Sequence, residues 1–183
     1  PNETEWVEFK SNLSDTNSIG EYISALSNAA ALCGKTSAYL VCGVKDDTHE
    51  LIGTNFKIST TRRGGEDLEP WLARMLDPRI NFEVHEFQYN NLDFVILEIA
   101  KASNKPTKFS GNEYIRVGSH KKPLKDYPEK ERALWRTFEN ISFEEEVAIA
   151  NVDKSEVLSL LDYTAYYERL GQRSPTNLDV VIE

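Results

Sequence analysis

The chain has little of what many reactive sites require. Its 183 residues include two cysteines, Cys33 and Cys42, and a single methionine. These two thiols make neither a zinc-ligand spacing nor a disulfide framework, so a reducing compartment, the cytoplasm, is expected. The three histidines, His49, His85 and His120, are scattered along the chain without partners at metal-ligand spacing, which argues against a zinc site. No glycine-rich loop ending in Gly-Lys-Ser/Thr occurs, so this stretch carries no P-loop for a nucleotide triphosphate. No apolar run approaches the roughly 18 residues that cross a bilayer, and no signal peptide opens the chain, so no membrane association is expected. Internal repeats and low-complexity tracts are also missing.

What is present is ordinary in amount and uneven in placement. A hydrophobic content of 40% and a charged content of 28% suit a globular protein with a real core. The net charge of −9 argues at first against nucleic acid, because phosphate binding draws on Lys and Arg. Its distribution says more. Residues 1–100 carry 8 basic and 16 acidic side chains, residues 101–136 carry 10 and 4, and residues 137–183 carry 3 and 10. A basic segment therefore lies between two acidic ones. The start at Pro1 and the end in Val180-Val-Ile-Glu183 read as cuts, and a piece of a longer protein is expected.

The chain is organised around Ala38 to Asp47. Ala38 to Cys42 is an uninterrupted apolar run and reads as a strand buried on both faces. Gly43 marks a close backbone approach, Lys45-Asp46-Asp47 places charge past the strand end, and Leu51-Ile52-Gly53 suggests a fold back. A second charged cluster, Glu3 to Lys10, lies at the start, with Trp6, Val7 and Phe9 marking a short strand. Ile19, Tyr22, Ile23, Leu26 and Ala30 recur at helical spacing, with Ser18 as the expected cap and Gly34 as the stop. Glu66 and Asp67 favour a second helix through Leu68, Trp71, Leu72 and Met75. Phe82 to Phe87 and Leu92 to Ile99 read as a hairpin turning at Asn90-Asn91. Lys105 to Phe109 and Glu113 to Gly118 supply further strands, and Pro128 opens a helix through Phe138. The order predicts an α+β domain with a mixed sheet and flanking helices over residues 1–138. Residues 139–183 form an acidic helical appendage, or a linker to a further region, with Val157, Leu160 and Leu161 on its apolar side.

Taken together, several short pieces resemble the Schlafen/AlbA-like DNA-binding domain of bacterial regulators and RecG-related proteins, also labelled divergent AAA. The pieces are Glu3-x4-Glu8-Phe-Lys10, Ile23-Ser-Ala-Leu-Ser-Asn28, Cys42-Gly-Val-Lys-Asp46, Leu51-Ile-Gly53, Lys105-Pro106, Gly111 and Tyr114-Ile-Arg-Val-Gly-Ser119. The resemblance covers roughly residues 3–136. It departs between Ala29 and Ser37, where the family usually carries a Gly-Gly pair and this chain has only Gly34.

The resemblance implies nucleic-acid binding. In the Schlafen branch it also implies RNA cleavage by three carboxylates, which match Glu3, Glu8 and Asp46. Around Mg²⁺ or Mn²⁺ these would activate water, with Lys10 stabilising the developing negative charge. Glu3 and Glu8 face opposite sides of an unbroken strand, so a bend near Thr4 or Glu5 is needed. Solvated acidic residues and a turn aspartate are the plain alternatives. For binding, Lys105, Lys108, Arg116, His120, Lys121 and Lys122 form a candidate phosphate-positioning surface, with Tyr114 or Phe109 available to stack. Arg116 alternates with Ile115 and Val117 and is expected to face a ligand. Arg62-Arg63 beside Gly64-Gly65 reads as a loop that could grip a backbone.

Three functions are carried forward. The first is a nucleic-acid-binding domain, DNA before RNA, of a bacterial transcriptional regulator, non-catalytic by itself. The second is a divalent-metal-dependent endoribonuclease. The third is a protein-interaction module that forms a homodimer through residues 143–170.

Overall fold

The computed structural model describes residues 4–139, 153, 156 and 162–175. Residues 1–141 form one compact unit and residues 142–183 a second. The first is built about a single helix, α1 (Thr16–Leu32), of which Ile19, Ile23, Leu26 and Ala30 are completely buried. Asp15, and not Ser18, caps this helix: its carboxylate accepts from Asn17 N at 3.0 Å and Ser18 N at 3.3 Å. An ionised carboxylate at the positive end of the helix does that work better than a hydroxyl. Gly34, at φ 62°, closes the other end.

Beneath α1 lies a mixed four-stranded sheet. Its strands are β1 (Val7–Lys10), β2 (Ser37–Cys42), β6 (Phe82–Tyr89) and β7 (Leu92–Ala100), in the order β1-β2-β7-β6. Only β1 and β2 run parallel. Asn90 and Asn91 both take positive φ and turn β6 into β7, the geometry that a two-residue hairpin needs. The two faces of β2 differ. Ala38, Leu40 and Cys42 are fully buried toward α1, whereas Ser37, Tyr39 and Val41 stay half-buried. The expectation of burial on both faces fails because no helix among the described residues covers the second face; Phe9, Val44 and Phe94 make a small apolar cluster there.

A second, antiparallel sheet takes the other side of α1, in the order β10-β9-β8-β5. It contains β5 (Leu76–Asp77), β8 (Lys108–Phe109), β9 (Asn112–Val117) and β10 (His120–Pro123). Ser24, Ser27 and Asn28 fasten α1 to the chain around it. Asn28 Nδ2 donates to the carbonyls of Thr107 (3.0 Å) and Tyr114 (2.8 Å), and Thr107 N donates to Asn28 Oδ1 (2.7 Å). Ser24 Oγ donates to Thr107 O and accepts from Tyr114 N, and Ser27 Oγ donates to Ala100 O at the end of β7. Gly20 leaves room for the Phe109 ring; a Cβ there would lie 2.0 Å from it. Outside β9, Leu124 from the short 3-10 turn Leu124–Asp126 and Leu134 from α3 (Pro128–Glu139) cover Ile115.

The ribbon β3 (Arg62–Arg63) and β4 (Glu66–Asp67) leads into α2 (Leu68–Met75), which packs Leu68, Trp71 and Leu72 into the main core. In the second unit, α4 (Tyr163–Arg169) is capped by Asp162, whose carboxylate accepts from Ala165 N. Val157, Leu160 and Leu161 lie outside the described residues.

Candidate nucleic-acid site

The site begins where β1 and β2 end. Glu8 pairs in register with Leu40, and Lys10 with Cys42, so both point to the face that α1 covers. Beyond Cys42 the chain must turn at once, and Gly43 allows it with φ 102°. A Cβ on Gly43 would come within 2.7 Å of the Phe94 ring. Gly43 N and Val44 N both donate to Lys10 O, and Ile52 N and Gly53 N return to Gly43 O. The loop between is thus pinned against β1, and Asp46 is brought back over Lys10. The two charged clusters separated in sequence meet here.

Lys10 Nζ lies 2.9 Å from Glu8 Oε1 and 2.5 Å from Asp46 Oδ2. Ser11 N donates to Asp46 Oδ1 at 3.2 Å. The other oxygen of Glu8, Oε2, is in ionic contact with Arg116 Nη2. Glu8 and Arg116 are only 1% and 0% exposed, and Nε and Nη1 of Arg116 have no hydrogen-bond partner among the described residues. Arg116 therefore does not face outward as its alternation with Ile115 and Val117 predicts. Both faces of β9 are covered, Ile115 by the α3 cluster and Arg116 by α1 and β1. Phe109 is likewise buried, edge-on to Trp71, and cannot stack on a base.

Tyr22 stands between two ammonium groups, with Lys121 Nζ 4.3 Å and Lys10 Nζ 5.8 Å from its ring centre. Lys121 is held by Glu21 at 2.5 Å and Ser18 Oγ at 2.9 Å. Around these groups opens a pocket of ≈ 490 Å³, lined by Lys10, Tyr22, Asp46, Asp47, Ser119, His120 and Lys121. Tyr22 and Ser119 escape the sequence reading. Tyr22 sits at helical spacing with Ile19 and Ile23 and reads as core, and its place one turn into a helix that follows a charged strand end is the one clue.

The remaining cations lie elsewhere. Lys122 is exposed beside Lys121 on β10, with its side chain on the opposite face. Lys105 pairs with Asp77 at 2.8 Å. Lys108 pairs with Glu113, near the far end of β9 and about 15 Å along the strand from the pocket. Arg62 is exposed and paired with Asp67, while Arg63 lies over Trp71 at 4.3 Å and contacts Thr16 Oγ1 at the start of α1. Glu3 lies outside the described residues.

The charges explain the titration of the pocket. Burial opposes the Lys10 ammonium, but the Asp46 and Glu8 carboxylates outweigh it and raise its pKa. Burial, then the charge of Glu8, raises that of the Tyr22 phenol. The Cys42 thiol is pushed up to about 12 by burial, which makes it inert at neutral pH. Lys10 and Tyr22 both have folded pKa values above their unfolded ones. Their contributions to stability are complete below about pH 10 and are lost as pH rises through the folded values. Urea midpoints should therefore fall as pH rises above about 10, and fall less in Lys10→Met and Tyr22→Phe. An equal alkaline drop in both variants would show that these groups do not carry it.

The carboxylates do not fit a divalent ion as they stand. Both oxygens of Glu8 meet cationic side chains, and Lys10 Nζ stands between Glu8 and Asp46 where an ion would have to lie. Among the described residues no group of three or more His, Cys, Asp or Glu side chains could hold a metal.

The family model described as Schlafen, AlbA_2 matches residues 3–125. The chain belongs to this family. The Schlafen/AlbA pieces can now be placed: Glu8, Lys10 and Asp46 form the charged cluster, and Ser24, Ser27 and Asn28 are the fastenings of α1. Membership suggests a nucleic-acid-related role. No curated protein matches the chain. Similar solved structures include a Corynebacterium diphtheriae protein with 17% identity and a TM-score of 0.45, covering 72% of this chain. The match takes in 24% of that protein's own length. Another is the N-terminal domain of an ATP-dependent DNA helicase RecG-related protein from Nitrosomonas europaea, with 22% identity and a TM-score of 0.41. That match covers 66% of this chain and 83% of the other. Likeness at this level carries no functional argument. No helix among the described residues is long and apolar enough to cross a membrane.

Proposed function

We propose that the Schlafen/AlbA unit is a nucleic-acid-binding domain, DNA-binding within a bacterial transcriptional regulator, and that residues 139–183 are an appendage to it. The observation that carries this reading is the pocket at the β1 and β2 ends, where Lys10, Lys121 and His120 face open space beside the Tyr22 ring. Ammonium and imidazole groups beside a hydroxyl suit phosphate oxygens, and such contacts position a backbone without reading its sequence. Lys122 adds an exposed ammonium on the opposite face of β10. Lys105 and Lys108 lie at a distance from the pocket, so their contribution is smaller. The occupied carboxylates favour binding over metal-assisted cleavage.

Lys121→Gln combined with Lys122→Gln should weaken oligonucleotide binding in anisotropy titrations over a range of salt. The slope of log affinity against log salt should flatten by roughly 0.7 to 0.9 for each ammonium that meets a phosphate. Unchanged affinity and slope would remove this surface from the reading.

A further inference from the structure

The pocket at Lys10 is not simply cationic. Two ammonium groups, Lys10 and Lys121, are accompanied on its lining by two carboxylates, Asp46 and Asp47, and Asp46 is well exposed. Lys121 Nζ is committed to Glu21 and Ser18. Lys10 differs. Of its three donors, one meets Glu8 and one meets Asp46, and the side chain remains 21% exposed on the pocket side. Among the described residues no third carboxylate pairs with it. Glu8 is itself held from below by Arg116, so the ammonium rests on a buried support and cannot withdraw.

A divalent ion would need the position that Lys10 Nζ occupies, and it would then lie beside the displaced ammonium and near the Arg116 guanidinium. Two cationic neighbours oppose a third. The carboxylates also set how much negative charge the pocket tolerates. A phosphodiester brings one charge, which Lys10 can meet. A terminal phosphate brings nearly two and faces Asp46 and Asp47.

Resting on the nucleic-acid reading above, we infer that Lys10 is the resident cation of this site, and that the pocket takes one internal phosphodiester against Lys10 Nζ without a divalent metal. Ser119 and His120, exposed at the β9–β10 turn, hold the adjoining phosphate oxygen or sugar. Asp46 competes with the phosphate for the ammonium.

The test uses the full chain and a fluorescein-labelled single-stranded oligonucleotide, in DNA and RNA versions. Binding should be unchanged by EDTA or by Mg²⁺ at matched ionic strength. Asp46→Asn, at an exposed position that the fold tolerates, should tighten binding severalfold, because it removes both a like charge and the competitor for Lys10. Lys10→Met should weaken binding about tenfold, the scale of one charged hydrogen bond. A 5′-phosphorylated oligonucleotide should bind no tighter than its hydroxyl-ended twin. Weaker binding in Asp46→Asn would overturn the inference. So would a stoichiometric Mn²⁺ signal by electron paramagnetic resonance that this variant abolishes. Tighter binding of the phosphorylated end would replace the diester by a terminal phosphate and overturn it as well. Each of these results leaves nucleic-acid binding standing, whereas failure of the intact chain to bind either oligonucleotide at low salt would overturn the parent reading too.

Discussion

Glu8→Gln is expected to cost roughly 3–5 kcal/mol of folding stability, the largest effect of any single substitution at the site. Glu8 is the carboxylate that neutralises Arg116, and both side chains are essentially without solvent. Gln keeps the shape and loses the charge, so Arg116 would be left as an uncompensated buried cation with Nε and Nη1 already lacking hydrogen-bond partners among the described residues. Replacing the pair together behaves differently. Glu8→Gln with Arg116→Met removes both charges and should recover most of the loss, since buried ion pairs seldom outweigh apolar packing of similar volume. Guanidinium denaturation of the single and double variants measures this directly. A single-variant loss below about 1 kcal/mol would mean that water or another group reaches the guanidinium. Because Lys10 leans on Glu8, the single variant should also lose affinity at the pocket.

The second large effect belongs to Asn28→Ala, for which about 3 kcal/mol or more is expected. Asn28 makes three hydrogen bonds to the backbone of Thr107 and Tyr114. Alanine would leave Thr107 N and Tyr114 O without that partner in a dry interior, and each such group costs about 1–3 kcal/mol. Thr107 O retains Ser24 Oγ, which moderates the loss. Since Arg116 and Lys121 ride on the second sheet, oligonucleotide affinity should fall along with thermal stability. A variant that keeps its melting temperature would show that Ser24 and Ser27 suffice to hold the strands.

Much of this fold can be read from residue patterns because its local rules agree with one another. The spacing of Ile19, Ile23, Leu26 and Ala30 marks α1, and Asn90-Asn91 marks a turn that both residues then make with positive φ. The site was less legible, for reasons that differ by residue. Asp46 reaches Lys10 through the turn at Gly43 and the return of residues 52–53, a tertiary closure that no spacing encodes. The sequence marks two charged clusters, and only the resemblance pairs Glu8 with Asp46 in one site. Alternation fails for Arg116 because it assumes that one face of a strand is wet, and β9 has no wet face at that position. Lys105 and Lys108 were legible as cations, but not as cations already balanced by Asp77 and Glu113.

The manner in which α1 holds its surroundings has a consequence for which positions can drift in sequence. Ser24, Ser27 and Asn28 grip amides and carbonyls of Ala100, Thr107 and Tyr114. Every residue owns a carbonyl, and every residue but proline an amide. The side chain at 100 is invisible to the helix, provided that the strand keeps its path, whereas the Tyr114 hydroxyl also donates to Glu21 Oε1 of α1 at 3.3 Å. The helix has no such freedom, because few side chains carry both a donor and an acceptor on so short an arm. The two partners in one interface therefore carry unequal amounts of information, and the helix bears the larger share of it.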